Sequence, residues 1–181
     1  IPTNPNDADS YFPGVDGSAP YNLLHMDAMY DLQSHTYTDV TLIGQRKVNE
    51  RDALCSMIDR SPMKKVLLIA DRGYEGYNLM AHLQEKQWCF LIRIQDIVHS
   101  RGIAAGLDLP VKDEFDISIN LSLTRKSTNA VKQLCKERNR YRFLPKNVSF
   151  DYLPKNKRKI DPLVFYELRF RIVRFKISDD A

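Results

Sequence analysis

Residues 66–70, Val-Leu-Leu-Ile-Ala, run apolar without polar alternation and stop on Asp71. A strand with one wet face alternates. The unbroken run therefore predicts a strand buried on both faces of a helix-flanked sheet, central rather than at an edge. Gly73 and Gly76 then open a turn, Tyr77, Leu79, Met80 and Leu83 recur at helical spacing, and "WCFLIRI" from Trp88 makes a second buried strand. Strand, helix and strand in that order predict a right-handed crossover and parallel pairing. In such a sheet ligands sit outside the carboxyl ends of the strands, and Asp71 stands at one of them. A carboxylate there has three common uses: ligand to Mg²⁺, phosphate acceptor, or cap on the following turn. An acceptor would want more acidic residues after an earlier strand and a later Lys, which the chain does not show. From the strand alone, cap and ligand stand level.

Upstream, Leu24, Met26, Ala28, Tyr30 and Leu32 share one phase and His25, Asp27 and Asp31 the other. This alternation predicts a strand that buries its apolar phase. "QSH" then turns the chain into residues 36–43, giving an antiparallel hairpin. Asn49 offers an N-cap, with Asp52 at the third helical position, and Ala53, Leu54, Met57 and Ile58 lie on one face of a helix over 50–60. Glu50 and Asp52 are assigned to that helix start rather than to a metal.

Beyond Asp96 alternation takes over. Ile117, Ile119, Leu121 and Leu123 interleave with Ser118, Asn120, Ser122 and Thr124, as in a sheet with one wet face. Tyr166, Leu168, Phe170 and Ile172 keep one phase, then Val173, Phe175 and Ile177 take the other, predicting a bulge or change of sheet near Ile172. The chain thus divides into a mixed α/β core over residues 1–96 and a mostly antiparallel β-rich insertion over 97–181.

Charge divides it similarly. Residues 1–60 carry 4 Lys+Arg against 9 Asp+Glu, net −5, and residues 101–181 carry 18 against 10, net +8. Between Arg125 and Lys159 twelve basic residues meet only Glu137 and Asp151, with Tyr141, Phe143, Phe150 and Tyr152 among them. A phosphate-backbone surface has this composition, and so has a solvated basic loop. The candidate contacts are Arg125, Lys126, Arg138, Arg140, Arg142, Lys155, Lys157, Arg158 and Lys159. Arg72 and Tyr74, beside Asp71, either touch a phosphate or base or pack the turn.

Cys55, Cys89 and Cys135 stand far apart with no C-x-x-C, so free thiols are expected rather than disulfides or a zinc site. His25, His35, His82 and His99 are scattered and form no ligand set, and Trp88 is assigned to the core. No run approaches the roughly 20 apolar residues a membrane span needs, and no leader pattern opens the chain. A cytoplasmic protein with no membrane partner is expected.

"LLIADRGY" before a Gly-led helix, the "NLLHMDAMYDLQSHTYTDVTL" hairpin, the "NERDAL" helix start and the closing "LRFRIVRFKISDD" together resemble the bacterial DDE transposases of the insertion-sequence-four group. The resemblance runs through essentially the whole chain. It implies a ribonuclease-H-like mixed sheet, present here in part. It also implies three acidic residues holding two Mg²⁺ (or Mn²⁺) ions, cut-and-paste chemistry on transposon-end and target DNA, action at the nucleoid, and a large β insertion between the second Asp and the final Glu. Asp71 matches the second catalytic Asp.

The resemblance places the first Asp just before "IPTNPNDADSYFPG" and the final Glu in a later helix, both beyond this chain. Asp16, in "GVDGSAP", mimics the first but has no apolar strand in front of it; Glu167, with Tyr166, Arg169 and Lys176, has the wrong spacing for the last. The expectation is therefore a transposase fragment that binds no metal and does not cut alone. Its short core sheet would leave edges for a second copy, and a homodimer is the expected functional form. The alternative is a non-catalytic DNA-binding or scaffold module in which Asp71 is a helix cap.

Overall fold

The computed structural model describes residues 3–47, 49–95, 102–155 and 164–176. The chain forms two compact units, Ile1–Met63 and Lys64–Ala181.

In the first unit, β1 (Tyr11–Phe12) and β2 (Tyr21–Asn22) make a short antiparallel ladder, with Phe12 and Tyr21 stacked at 5.4 Å between ring centroids. β3 (Leu24–Asp31) and β4 (Thr36–Gly44) form the expected antiparallel hairpin, irregular only between Met29 and Tyr30. α1 (Glu50–Arg60) starts where the sequence places it, with Asn49 Oδ1 accepting the Asp52 N–H at 3.3 Å. Its last turn is tied to β4 by the Arg60 fork, which donates to both oxygens of Asp39 and to Thr41 Oγ1, each at 2.7 Å. Replacing Asn49 with alanine orphans an N-terminal N–H and is expected to cost about 1 kcal/mol, read as a lowered urea midpoint.

The hairpin's inward phase is the reverse of the expected one. Asp27 is 5% exposed while Met26 is 61% exposed, and Tyr30, Val40 and Leu42 are exposed too. Alternation separates two faces without saying which one a helix will cover. The covered face holds Asp27 and Met29 opposite Thr41 and Asp39. That polar phase offers α1 its partners: Asp39 and Thr41 hold Arg60, and His25 Nε2 lies 3.3 Å from Asp27 Oδ1 and 3.6 Å from Glu50 Oε1. Asp27 Oδ2 is buried without a hydrogen-bond partner among the described residues.

In the second unit, β5 (Leu67–Ala70), α2 (Tyr77–Glu85) and β6 (Cys89–Ile92) follow one another as strand, helix and strand, with the expected parallel pairing from Leu67 opposite Cys89 to Ala70 opposite Ile92. Burial on both faces does not follow. Leu68 is buried, but Leu67 and Ile69 are 60% and 56% exposed, and among the described residues β5 pairs with β6 alone. An apolar run shows that both faces tolerate burial, and the described part of this unit covers only one. Trp88 is buried, as expected.

The rest of this unit is β7 (Phe115–Thr124), α3 (Asn129–Leu134), β8 (Tyr141–Phe143) and β9 (Tyr166–Arg174). The sheet order is β8-β7-β9, with β9 antiparallel and β8 parallel to β7. The register of β7 on β9 runs unbroken from Phe115 opposite Arg174 to Leu123 opposite Tyr166. The bulge expected near Ile172 is therefore absent, and Val173 stays on the solvent phase, 50% exposed. Pairing with β7 fixes the phase, whatever apolar residues follow the last core position.

The inner phase of this sheet, Leu121, Leu123, Leu168, Phe170 and Ile172, packs with Phe150 and Leu153 from the loop after β8 and with Met80 and Ala81 of α2. Each of these buried Leu, Ile, Phe and Met side chains contributes roughly 1.5–3 kcal/mol. The end of α2 is bonded to β9, because Gln84 Nε2 donates to the Glu167 carbonyl and Gln84 Oε1 accepts the Arg169 N–H, both at 2.9 Å. The composition break at residue 96 falls inside this unit. No described helix is long and apolar enough to cross a membrane.

Candidate active site

β5 delivers Asp71 to the carboxyl end of the parallel pair. Its backbone is extended, φ −81° and ψ −177°, and a single turn of 3₁₀ helix, Arg72–Tyr74, follows. Oδ1 accepts the Gly73 N–H at 2.8 Å, and the Asp71 carbonyl accepts the Tyr74 N–H at 3.2 Å. A Cβ on Gly73 would lie 3.0 Å from Oδ1, so the missing side chain lets the carboxylate approach the turn this closely. The carboxylate is exposed, as is Arg72, and Tyr74 is half-buried. Asp71 thus caps the turn and also presents an anionic oxygen to solvent at a strand end.

Mg²⁺ takes hard oxygen ligands in octahedral geometry, and a two-ion site needs several carboxylates. Among the described residues no group of three His, Cys, Asp or Glu side chains could hold a metal. Asp71 alone does not fit a metal pair.

The basic candidates separate by geometry. The half-buried Arg125 donates through Nη1 to the Pro145 carbonyl at 2.8 Å, through Nη2 to those of Val148 and Phe150 at 2.9 and 3.2 Å, and through Nε to that of Leu153 at 3.3 Å. Arg142 donates to the Ala105 carbonyl at 2.7 Å and to the Tyr77 hydroxyl at 3.3 Å. Both guanidiniums hold backbone loops. Arg138 and Arg140 are exposed on the approach to β8, with Arg140 5.7 Å from the centroid of the Tyr141 ring. Lys126 is half-buried just after β7, and Lys155 is exposed. Lys157, Arg158 and Lys159 lie outside the described residues, as does His99. The structure therefore brings Asp71, Arg72 and Tyr74 onto one turn and Arg138 and Arg140 onto one exposed approach.

Two polar constellations carry no sequence signal. His82 is buried on α2, its Nε2 3.0 Å from Asp151 Oδ2 and its Nδ1 3.2 Å from the Tyr152 hydroxyl. Asn78 donates to the same Asp151 oxygen at 2.8 Å and accepts the Asp151 N–H at 2.9 Å. The Asn78 bond, then the His82 bond, hold the Asp151 carboxyl below its ordinary range. The second constellation centres on Glu75, a buried carboxylate four residues past Asp71. Neither is marked by spacing, because the partners come from backbone or from distant loops. Cys55 is buried, Cys135 partly buried and Cys89 exposed, and none of the three forms a disulfide.

No curated protein and no solved structure matches the chain. A family model described as the transposase DDE domain matches residues 1–153. The matched span includes the β5–α2–β6 crossover with Asp71 at its strand end, and the chain belongs to the transposase DDE domain family.

Proposed function

We propose that this chain is a catalytic-domain segment of an insertion-sequence-four-type transposase that cuts transposon ends from donor DNA and joins them to target DNA. Residues 1–96 supply part of a ribonuclease-H-like core, and residues 97–181 supply the β-rich insertion. Asp71 is the second acid of the catalytic set. The observation that carries this reading is an exposed carboxylate held on a hydrogen-bonded turn at the carboxyl end of paired parallel strands, within a family match over residues 1–153.

Mg²⁺ or Mn²⁺ is the cofactor this reading calls for, with Asp71 supplying one carboxylate. What the chain itself does is hold that carboxylate and offer cations to phosphate. Arg72, Arg138, Arg140 and Lys155 are exposed for this, Tyr74 lies beside Asp71, and Lys157, Arg158 and Lys159 extend the basic block. Two copies acting together in the cytoplasm, at the nucleoid, complete the reading. The Oδ1 bond to the Gly73 N–H supports the second reading, a DNA-binding module in which Asp71 only caps.

A transposase carrying this domain is expected to nick plasmid DNA bearing its cognate ends only when Mg²⁺ or Mn²⁺ is present. Gel analysis checks this. Binding without divalent-dependent nicking would sink the catalytic reading in favour of the second.

A further inference from the structure

Glu75 closes the turn that Asp71 opens. It is 9% exposed, and both its oxygens are spent on backbone donors: Oε2 accepts the Gln95 N–H at 2.9 Å and Oε1 accepts the Ile103 N–H. Among the described residues no basic side chain pairs with it. A buried charge without a cation survives only when strong hydrogen bonds replace water, and bonds to an ionised acceptor are the strong ones. Two N–H donors also require two acceptor oxygens, which a carboxylate has and an amide lacks.

The surroundings are shaped to this carboxylate. Gly102 has φ +91°, and a Cβ there would collide with Glu75 Oε1 and lie 3.2 Å from the carboxyl carbon. Glycine is required at that position on both counts.

The bonds form a closed ring around Asp71. On one side the Arg93 N–H reaches the Ala70 carbonyl at 3.2 Å, extending the ladder of the parallel pair by one step. On the other, Glu75 takes the N–H of Gln95, two residues further along the same strand exit. The segment Ala70–Glu75 is thus pinned at both ends to the chain leaving β6, with Asp71 between the pins. Inside the ring the Glu75 N–H reaches the Arg72 carbonyl at 3.2 Å. Such a turn cannot shift the Asp71 backbone without breaking one of the two pins, and the Gly73 N–H holds Oδ1 on that backbone.

We infer that Glu75 is a positioning residue for the transposase reaction: its buried carboxylate fixes the Asp71 turn to the exit of β6 and so sets where the Asp71 carboxylate stands. The inference rests on the reading of Asp71 as a catalytic acid. Displacing a reacting group by about 1 Å can cost about 100-fold in rate, so losing one pin is felt in turnover rather than in DNA affinity.

The test compares Glu75→Gln with Asp71→Asn and the parent sequence, in a transposase carrying this domain. Glu75→Gln keeps size and burial but leaves one N–H facing an amide donor. Expected are a kcat for end nicking lower by about 10- to 100-fold, a KM for end DNA within about twofold, and a folded domain by circular dichroism. Faster amide exchange at Gly73 and at Gln95 or Ile103 should accompany the loss of rate. Unchanged kcat, or a loss no larger than the unfolded fraction, overturns the inference while leaving the Asp71 reading intact if Asp71→Asn is inactive. Undiminished nicking by Asp71→Asn overturns the Asp71 reading, and the inference with it. Should Glu75→Gln not fold, Glu75→Asp takes its place under the same criteria, keeping the charge and both acceptors one methylene further back.

Discussion

Asp71→Asn is expected to lower divalent-dependent nicking by on the order of 10³-fold, the scale at which one preorganised electrostatic group is lost, while DNA binding is retained. The variant isolates charge from geometry. Asparagine keeps an Oδ1 that can accept the Gly73 N–H, and it ranks with aspartate as a cap. The side chain is exposed, so the exchange should leave stability within about 0.5 kcal/mol. Asp71→Ala removes cap and charge together and should cost about 1 kcal/mol as well as the activity. Urea unfolding and single-turnover nicking, measured on both variants, separate the two readings. If Asp71 is only a cap, Asn is silent in both assays and Ala is silent in the second. Full nicking by Asp71→Asn would transfer the function of this chain to DNA binding alone.

What the sequence makes legible here is local. Asn49 and the spacing behind it mark α1, and the apolar runs around a helical pattern mark the parallel pair, because caps and periodicity are set within a few residues. Facing is not local. The hairpin alternates as read, yet α1 covers the phase of Asp27 because its bonding partners stand there, and that depends on where a helix some twenty residues later lands. The same limit explains Leu67 and Ile69, apolar but exposed, and Val173, whose phase follows its partner strand rather than its hydrophobicity. At the site, Asp71 is legible because a polar residue interrupts an apolar run. Glu75 is not, since its partners are backbone N–H groups that carry no letter in the sequence. Arg125 shows the converse: its charge is plain in the sequence, but its partners are not.

Arg125→Ala is expected to destabilise the second unit by about 3 kcal/mol without changing how the folded protein senses salt when it binds DNA. The guanidinium sits just after β7 and holds four carbonyls of the loop that carries Phe150 and Leu153 into the core. Each hydrogen bond to a charged donor contributes roughly 1.5–3 kcal/mol, but part of the loop can be rehydrated, so the total falls well short of the sum. Arg125→Lys should recover only part of the loss, because an ammonium cannot reproduce the planar fork. Arg140→Ala supplies the contrast. Its side chain is exposed over Tyr141, and its removal should shift stability by less than about 0.5 kcal/mol while reducing the slope of log binding constant on log salt by about 1. Urea unfolding with binding titrations at several salt concentrations measures both quantities on both variants. Unaltered stability together with a reduced slope for Arg125→Ala would turn Arg125 from a clamp on its own loop into a phosphate contact; the bond network predicts the opposite pairing of results.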